Sequence, residues 1–391
     1  MRLSDFLAEA IILNELATVG REYQHLEDLM IVNGASGAEA ALRELMNIES
    51  NPKTLNIKWD GSAAIYWGRD ETGTFYFAPK AQWEKKAKFS KQALQKEIES
   101  TGRMKPGQDP AAFAASRKAL SAEWARAHDE FERATPKSFR GYLWADVMFL
   151  KTPKKNTQGN YEFKPNKVDY FVAPHSYLGE RISEGAEIMV AVHGMFNNFG
   201  DSADKMLHAS DALISEFNKL NPRVITLPIQ HPTAPIEKNH AIEKLIIFVK
   251  NHAPAIDEIA NYTELKFTGF KKIMYDYAVA RGKNHGKLPF KQWIKTAKLS
   301  DNQKAIILTK IAPKPAFALF WKVFDSIHTA KLHTLDKLHK SHGAEQHHKL
   351  GLSVATNGNP GGEGFAKVTP GGAIKLINPH FRSAATNDRF K

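Results

Sequence analysis

Lys58 and the Asp60-Gly61 turn that follows it are the residues of this chain with the clearest chemical potential. They stand between two apolar runs, residues 54–57 and 63–67, so the sequence predicts a strand, a tight turn and a second strand. A lysine at the mouth of such a hairpin can point into a pocket rather than into water. Its amine attacks only in the neutral form, which nearby positive charge and desolvation favour.

A carboxylate and a second lysine lie close to the end of the sequence. Glu363 opens a predicted hairpin whose strands cover residues 363–368 and 373–377, with a Thr-Pro-Gly-Gly turn between them, and Lys375 lies on its second strand. Because a short turn keeps the two strands adjacent, Glu363 and Lys375 are expected to project near one another into one site.

Three segments resemble, in the right order, the motifs of the covalent nucleotidyltransferases. Residues 58–61 are similar to motif I, residues 363–365 to motif IV, and Lys375 with its apolar neighbours to motif V. This superfamily comprises ATP-dependent DNA ligases, RNA ligases and mRNA capping enzymes. The resemblance implies an α+β fold with an ATP-grasp-like ligase core of antiparallel sheets. Longer stretches resemble a little-characterised family of such proteins from large tailed phages: 25–28, 58–63, 375–379 and Phe381.

Three further positions are interpreted through this resemblance. Asp146, inside the apolar run 142–149, stands in for the usual Glu of motif III; since burying a lone acid is costly, it is expected to face a polar site with a ribose or metal role, or else to cap the strand. Phe171 resembles the aromatic residue on which the base stacks, with ordinary core packing as the alternative. Lys80 stands where relatives often have a basic residue, with a solvated lysine as the alternative.

The resemblance implies a reaction in which Lys58 attacks the α-phosphate of ATP, releases pyrophosphate and forms lysyl-AMP. Asp60, Gly61, Lys80, Phe171 and Glu363 are then nucleotide-binding residues, as is Asp146; Glu363 and Asp146 are the expected Mg²⁺ ligands, and Lys375 neutralises the α-phosphate. AMP then passes to a 5′-phosphate, and a 3′-hydroxyl displaces it.

Two departures from the superfamily pattern narrow this interpretation. Ala63 stands where an Arg or Lys often follows motif I, and motif V has one clear lysine instead of two. Only residues 376–391 follow Lys375, so no C-terminal OB-fold is expected, which disfavours standard DNA ligases and capping enzymes. RNA ligases with helical accessory domains remain the best comparison.

Composition indicates a globular protein in a reducing setting. The chain has 391 residues, 42% of them hydrophobic and 25% charged, and it has no cysteine, which excludes disulfides, thiolate nucleophiles and Cys-type zinc sites, including the zinc module of NAD-dependent ligases. No apolar run reaches the roughly 18 residues of a membrane span. Residues 1–16 have acidic residues within an apolar pattern and resemble an amphipathic helix, not a signal peptide. A cytoplasmic protein is expected, in the host cytoplasm if a phage encodes it, with no membrane partner.

Positive charge is concentrated in one segment. The net charge is +12, and residues 231–350 contain 20 Lys and Arg against 10 Asp and Glu, which places +10 there, together with 10 of the 16 histidines. This concentration favours contact with nucleic-acid phosphates, RNA or nicked duplex, over a merely solvated surface. The histidine spacing between 328 and 348 fits a basic face better than a compact metal site.

Four regions are predicted along the chain. Residues 1–50 form a helical cap with a turn at Asn33-Gly34, residues 51–230 the first part of the β-rich core, residues 231–350 a basic helical insertion, and residues 351–391 the rest of the core. The oligomeric state is left open.

Two functional hypotheses remain. The first is an ATP-dependent polynucleotide ligase, with RNA preferred over DNA. The second is a nucleic-acid-binding or virion-associated protein that keeps the nucleotidyltransferase fold without turnover. Retention of the motif residues favours the first, while Ala63 and the altered motif III favour the second.

Overall fold

The computed structural model describes residues 24–377 except for 62, 102–103, 105–106, 167, 203–204, 234, 263–268, 284–287, 357–358, 361–363 and 370–371. Only the backbone is described at residues 24, 283, 343–349, 354–356, 359–360, 368–369 and 372–373. Residues 1–16, expected to form an amphipathic helix, and Glu363 therefore lie outside the described residues.

The strands form three sheets. Sheet A has the order β1-β14-β13-β2, sheet B the order β10-β9-β5-β3-β4, and sheet C the order β12-β11-β8-β7-β6. Their bounds are β1 Gln24–His25, β2 Asn56–Lys58, β3 Ala64–Arg69, β4 Phe75–Pro79, β5 Gly141–Phe149, β6 Lys154–Lys155, β7 Tyr161–Phe163, β8 Asp169–Val172, β9 Ile188–Phe196, β10 Val224–Leu227, β11 Leu352–Thr356, β12 Asn359–Pro360, β13 Gly364–Thr369 and β14 Gly372–Ile377.

The helices lie in two groups along the chain. Those before residue 230 are α1 Asp28–Ser50, α2 Lys80–Glu84, α3 Lys91–Ser100, α4 Pro110–Ala134, α5 Tyr177–Ser183 and α6 Asp211–Leu220. Those after it are α7 Ala241–Asn251, α8 Ala253–Ala260, α9 Phe270–Lys283, α10 Phe290–Thr296, α11 Asp301–Ile306, which continues into a π-helical turn at Ile307–Ile311, and α12 Pro315–Leu350. Among the described residues, no helix combines the length and apolar character needed to cross a bilayer.

The predicted α+β class is confirmed. The sheets are mostly antiparallel, but β1 pairs with β14 and β9 with β10 in parallel. Each predicted strand between residues 54 and 192 has a counterpart within a few residues, because alternating apolar side chains there meet turn residues at both ends. The predicted mainly helical character of residues 235–345 is confirmed as well.

The chain divides into two compact units, which differ from the expected regions. The helical unit takes the chain up to residue 58, residues 231–342 and the chain from residue 363; the sheet unit takes residues 59–230 and 343–362. The hairpin β13–β14 was expected with the β-rich core. It belongs instead to the helical unit, because β13 pairs with β2 and its apolar side chains join the helical core.

In the helical unit, α1 packs against α7 and α8 and breaks at Gly34, where the sequence predicts a turn. Gly34 has a left-handed backbone (φ 61°), and a Cβ there would lie 2.1 Å from the Asp257 carboxylate. That carboxylate accepts a hydrogen bond from the Ala35 N–H at 2.8 Å. The side chain of α8 thus satisfies a backbone donor that the helix break exposes.

In the sheet unit, sheet B has one apolar face and one mixed face. Ile65, Leu143 and Val147 pack with aromatic residues of α4 on the first face. Asp109 caps the N-terminus of α4 by accepting from the Ala111 and Ala112 N–H groups. Successive side chains of a strand alternate in direction, so Trp144 and Asp146 lie on the second, less buried face.

Candidate active site

Lys58 and Lys375 lie on the same face of sheet A. Lys58 is the register partner of Gly364 on β13, and Ala366, two residues further along that strand, is the partner of Lys375 on β14. Directly opposed residues of antiparallel strands, and residues two apart in one strand, share a face. The register therefore brings to one face two lysines that are far apart in the sequence, and both are half-buried.

The opposite face of sheet A is anchored in the core of the helical unit. Phe365, Ile374 and Leu376 are fully buried there. On the same face, the ammonium group of Lys367 lies 2.9 Å from the Glu44 carboxylate of α1. One face of the sheet is thus committed to packing, which fixes the direction of the lysines on the other.

Two more residues of sheet A support this arrangement. His25 on β1 is the register partner of Lys375 on the side away from β13. Gly364 has φ 142°, and a Cβ there would lie 2.1 Å from the Leu376 carbonyl oxygen, so the strand pairing beside Lys58 requires glycine. Glu363, the predicted motif IV carboxylate, precedes this glycine and lies outside the described residues.

Asp60 is held inside the sheet unit by a set of hydrogen bonds. Its carboxylate accepts from the Val168 N–H at 2.7 Å and from the Asn166 side-chain amide at 2.9 Å, while its own N–H donates to the Tyr170 hydroxyl at 2.9 Å. The residue is 4% exposed. These contacts attach the turn after Lys58 to the loop before β8 and keep the Asp60 carboxylate ionised and paired.

The predicted aromatic residue Phe171 lies on the other side of its strand from Tyr170. Tyr170 is buried and its ring lies 5.9 Å from that of Trp59, whereas Phe171 is half-buried between Glu162 and Ser353 of the neighbouring strands, both of them exposed. Of the two, Tyr170 is the ring that contacts the motif I segment. A nucleotide-stacking role for Phe171 stays a prediction.

Gly61 and Ala63 shape the approach of the motif I turn to sheet B. A Cβ on Gly61 would lie 2.4 Å from the Asp146 Cβ, so only glycine allows this approach. Ala63 has a left-handed backbone (φ 69°), and its carbonyl oxygen accepts from the Val147 N–H at 3.1 Å. The turn therefore lies directly against the strand that carries the predicted motif III acid.

Asp146 pairs with His193, which sequence reasoning had treated as a lone structural histidine. Between Trp144 and Ala145 the register of β5 on β9 skips one residue, His193, which is the extra residue of a β-bulge. Its Nε2 lies 3.0 Å from the Asp146 carboxylate, and its ring lies 4.9 Å from that of Trp144. The two side chains are 17% and 21% exposed, so the pair stands at an accessible surface.

Aromatic rings continue from this pair across the same face of sheet B. Trp144 lies parallel to Tyr66 at 5.9 Å, and Tyr66 stacks on Trp83 at 4.1 Å. These rings give the Asp146–His193 pair a rigid, weakly polar wall on one side. A sequence signal for the pair does exist: Asp146 and His193 are each a polar residue inside an otherwise apolar nine-residue strand.

Lys80 is exposed at the start of α2. Its ammonium group lies 3.5 Å from the Glu84 carboxylate one helical turn later, and both side chains are 62% exposed. This ion pair is a surface contact of small energetic weight. The predicted nucleotide-binding role of Lys80 stays a prediction.

Metal ligands are represented by Asp146 alone among the described residues. Within them, no group of three or more His, Asp or Glu side chains is placed to hold a metal ion. A single carboxylate fits Mg²⁺ bound mainly through substrate phosphates and water, because this ion keeps part of its hydration shell. The donor set is thus compatible with a substrate-borne Mg²⁺.

The histidines of α12 have structural partners and do not form one face. His328 lies 3.1 Å from the Glu27 carboxylate, while the rings of His339 and His342 pack against Phe365 of β13. Burial and the neighbouring His342 lower the pKa of His339 to about 4. The expected basic histidine face is therefore divided, with His333 exposed to solvent.

Comparison with known proteins gives one match. A model for a family of unknown function, DUF6267, matches residues 22–105, which include β1, α1 and the motif I segment. No curated protein and no solved structure matches the chain.

Proposed function

We propose that this protein is an ATP-dependent nucleotidyltransferase that forms lysyl-AMP on Lys58 as the first step of polynucleotide ligation. The observation that carries the proposal is the register of sheet A, in which Lys58 and Lys375 share one face across β13. The resemblance of residues 58–61 and of Lys375 to motifs I and V assigns these same two lysines to catalysis.

The two lysines have complementary roles in this reaction. From the strand spacing and the two-residue offset, their Cα atoms are about 12 Å apart, a distance that two flexible lysine stems can bridge around one phosphate. The neutral amine of Lys58 attacks the α-phosphorus, an N–P bond forms, and the P–O bond to pyrophosphate breaks. The ammonium group of Lys375 offsets the negative charge that accumulates on the α-phosphate oxygens. A positive neighbour also favours the neutral form of the attacking amine.

Mg²⁺ is the proposed metal, with Asp146 and Glu363 as its protein ligands. Bound to the phosphates, it would supply charge neutralisation. The hydrogen bond from His193 orients the Asp146 carboxylate and leaves its second oxygen for the metal or for a ribose hydroxyl.

The proposed acceptor is a nucleic-acid end bound through the basic segment 231–350. AMP passes from Lys58 to a 5′-phosphate, and a 3′-hydroxyl then displaces AMP. RNA is preferred over DNA as the substrate. The net charge of +10 in this segment supports a phosphate-rich partner, and binding should weaken steeply with salt.

A non-catalytic protein that binds nucleic acid or belongs to a virion is the second candidate. The observation that favours it is Ala63, which replaces a basic residue of motif I and whose left-handed backbone lies directly against β5. This turn leaves no cation at the position where nucleotidyltransferases often have one.

Incubation with α-labelled ATP and Mg²⁺ tests the proposal. We expect an acid-labile covalent label that is absent in Lys58→Ala, reduced at least about 100-fold in Lys375→Ala and unchanged in Lys53→Ala, an exposed lysine five residues before Lys58. No label, or equal labelling of Lys58→Ala, would contradict the enzyme and favour the binding protein. With labelled protein in hand, nicked RNA, nicked DNA and single strands can be compared as AMP acceptors.

A further inference from the structure

A groove of about 1050 Å³ lies between α7 and α12 of the helical unit. Its floor is apolar, with Ile242 and Trp321 fully buried and Leu245 and Phe248 half-buried. The volume is that of a ligand site, but the shape follows two helices, which suits a third helix with one apolar face.

The rim of the groove is basic. Lys244 of α7 and Lys322 of α12 are both exposed, and the Lys322 ammonium lies over the Phe248 ring at 5.8 Å. Arg281 and Asp325 also line the groove, but they pair with each other and cancel in charge. An occupant with an apolar face and acidic flanks is therefore complementary to the groove.

The first residues of the chain have this character. In residues 3–17, apolar side chains recur at helical spacing, at Leu3, Phe6, Ala10, Leu13 and Ala17. Three acidic residues, Asp5, Glu9 and Glu15, accompany them, against one basic residue, Arg2. Residues 1–23 lie outside the described part of the chain.

The described chain begins close to the groove. Glu27, just after β1, pairs with Lys331 and His328 of α12, and these residues alternate along the helix with the groove residues Thr329 and His333. The chain therefore begins within about one helix diameter, roughly 10–12 Å, of the groove. A seven-residue connection, 17–23, spans up to about 23 Å, which is enough to pass around α12.

We infer that residues 3–17 bind as an amphipathic helix in the groove between α7 and α12, with Asp5 and Glu9 facing Lys244 and Lys322. The tether provides a high effective concentration, so even a modest intrinsic affinity keeps the groove occupied. The occupied groove buries Leu245 and Phe248, which otherwise remain partly exposed.

Cysteine cross-linking tests this inference without background, because the chain has no cysteine. Ala10→Cys is combined either with Ala318→Cys, an exposed groove position, or with Ala305→Cys, an equally exposed position on α11 outside the groove. We expect an intramolecular disulfide to form at least about tenfold faster with position 318 than with position 305. Peptide mass analysis after proteolysis identifies the linked segments.

Charge reversal provides the second arm of the experiment. Lys244→Glu with Lys322→Glu should slow the cross-link to position 318, and adding Asp5→Lys with Glu9→Lys should restore it. Equal rates at positions 318 and 305 would overturn the inference, as they would if another partner filled the groove. A disulfide between two chains would also overturn it, in favour of a second copy as the occupant.

Discussion

The imidazole of His193 lies 3.0 Å from the Asp146 carboxylate because a β-bulge in β9 turns this one side chain toward the neighbouring strand. A strand without the bulge would keep the alternation and place the two side chains differently. The pair therefore depends on a specific backbone irregularity, which is a common feature of functional sites. Its accessible position beside Trp144 suits a group that orients a ligand-binding carboxylate.

We expect His193→Gln to affect Mg²⁺ dependence more than stability. Since both side chains are partly exposed, the free energy of unfolding should change by less than about 1 kcal/mol. If Asp146 is a metal ligand as proposed, loss of its hydrogen-bonded partner should raise the Mg²⁺ concentration needed for half-maximal lysyl-AMP labelling about tenfold or more. His240→Gln, at an exposed position, is the matched control. An unchanged Mg²⁺ titration would argue against Asp146 as a ligand.

The buried ion pair between Glu27 and Lys331 ties β1 to α12 and should be strongly coupled. Glu27 is 0% and Lys331 1% exposed, and the Lys331 Nζ lies 2.6 and 2.8 Å from the two carboxylate oxygens. Lys331→Met leaves a buried carboxylate without its cation, so we expect a loss of about 3–5 kcal/mol in unfolding free energy. Adding Glu27→Leu should recover most of it. Urea denaturation of the single and double variants measures this coupling, and additive losses would contradict it.

Part of this structure could be predicted from the sequence, and the boundary has physical causes. The strands around Lys58 and the hairpin of Lys375 follow from local alternation and turn residues. The pairing of β13 with β2 is a contact between distant segments, and local patterns do not encode which sheet a hairpin joins. For this reason the hairpin was assigned to the β-rich region, whereas its apolar face packs in the helical unit.

The candidate site shows the same boundary. Asp146 was singled out because a lone acid in an apolar strand needs a polar partner. The partner, His193, could not be derived from periodicity, because a bulge shifts the alternation by one residue. Likewise, the choice between Tyr170 and Phe171 depends on which face of β8 meets the motif I turn, and adjacent residues of a strand point to opposite faces.

Gly61 and Ala63 give a pair of substitutions with opposite expected signs. Gly61→Ala places a Cβ 2.4 Å from that of Asp146, so we expect a loss of about 1–3 kcal/mol in unfolding free energy. Ala63→Gly relieves a left-handed alanine at φ 69°, so we expect a gain of up to about 1 kcal/mol. Thermal unfolding of both variants is the measurement. A destabilising Ala63→Gly would mean that the methyl group contributes more than the backbone strain costs.

His339 should make the helical unit sensitive to acid. Its folded pKa of about 4 lies below the ordinary histidine value of 6.5, because burial and the neighbouring His342 disfavour the charged form more than Asp336 favours it. The unfolded chain therefore takes up the proton first, and stability is lost as the pH falls from 6.5 toward 4. On this basis we expect a loss on the order of 1–2 kcal/mol between pH 7.5 and 5. This loss should be smaller in His339→Gln and unchanged in the exposed control His240→Gln, measured by urea denaturation at each pH. Identical acid sensitivity of wild type and His339→Gln would assign the effect to other groups.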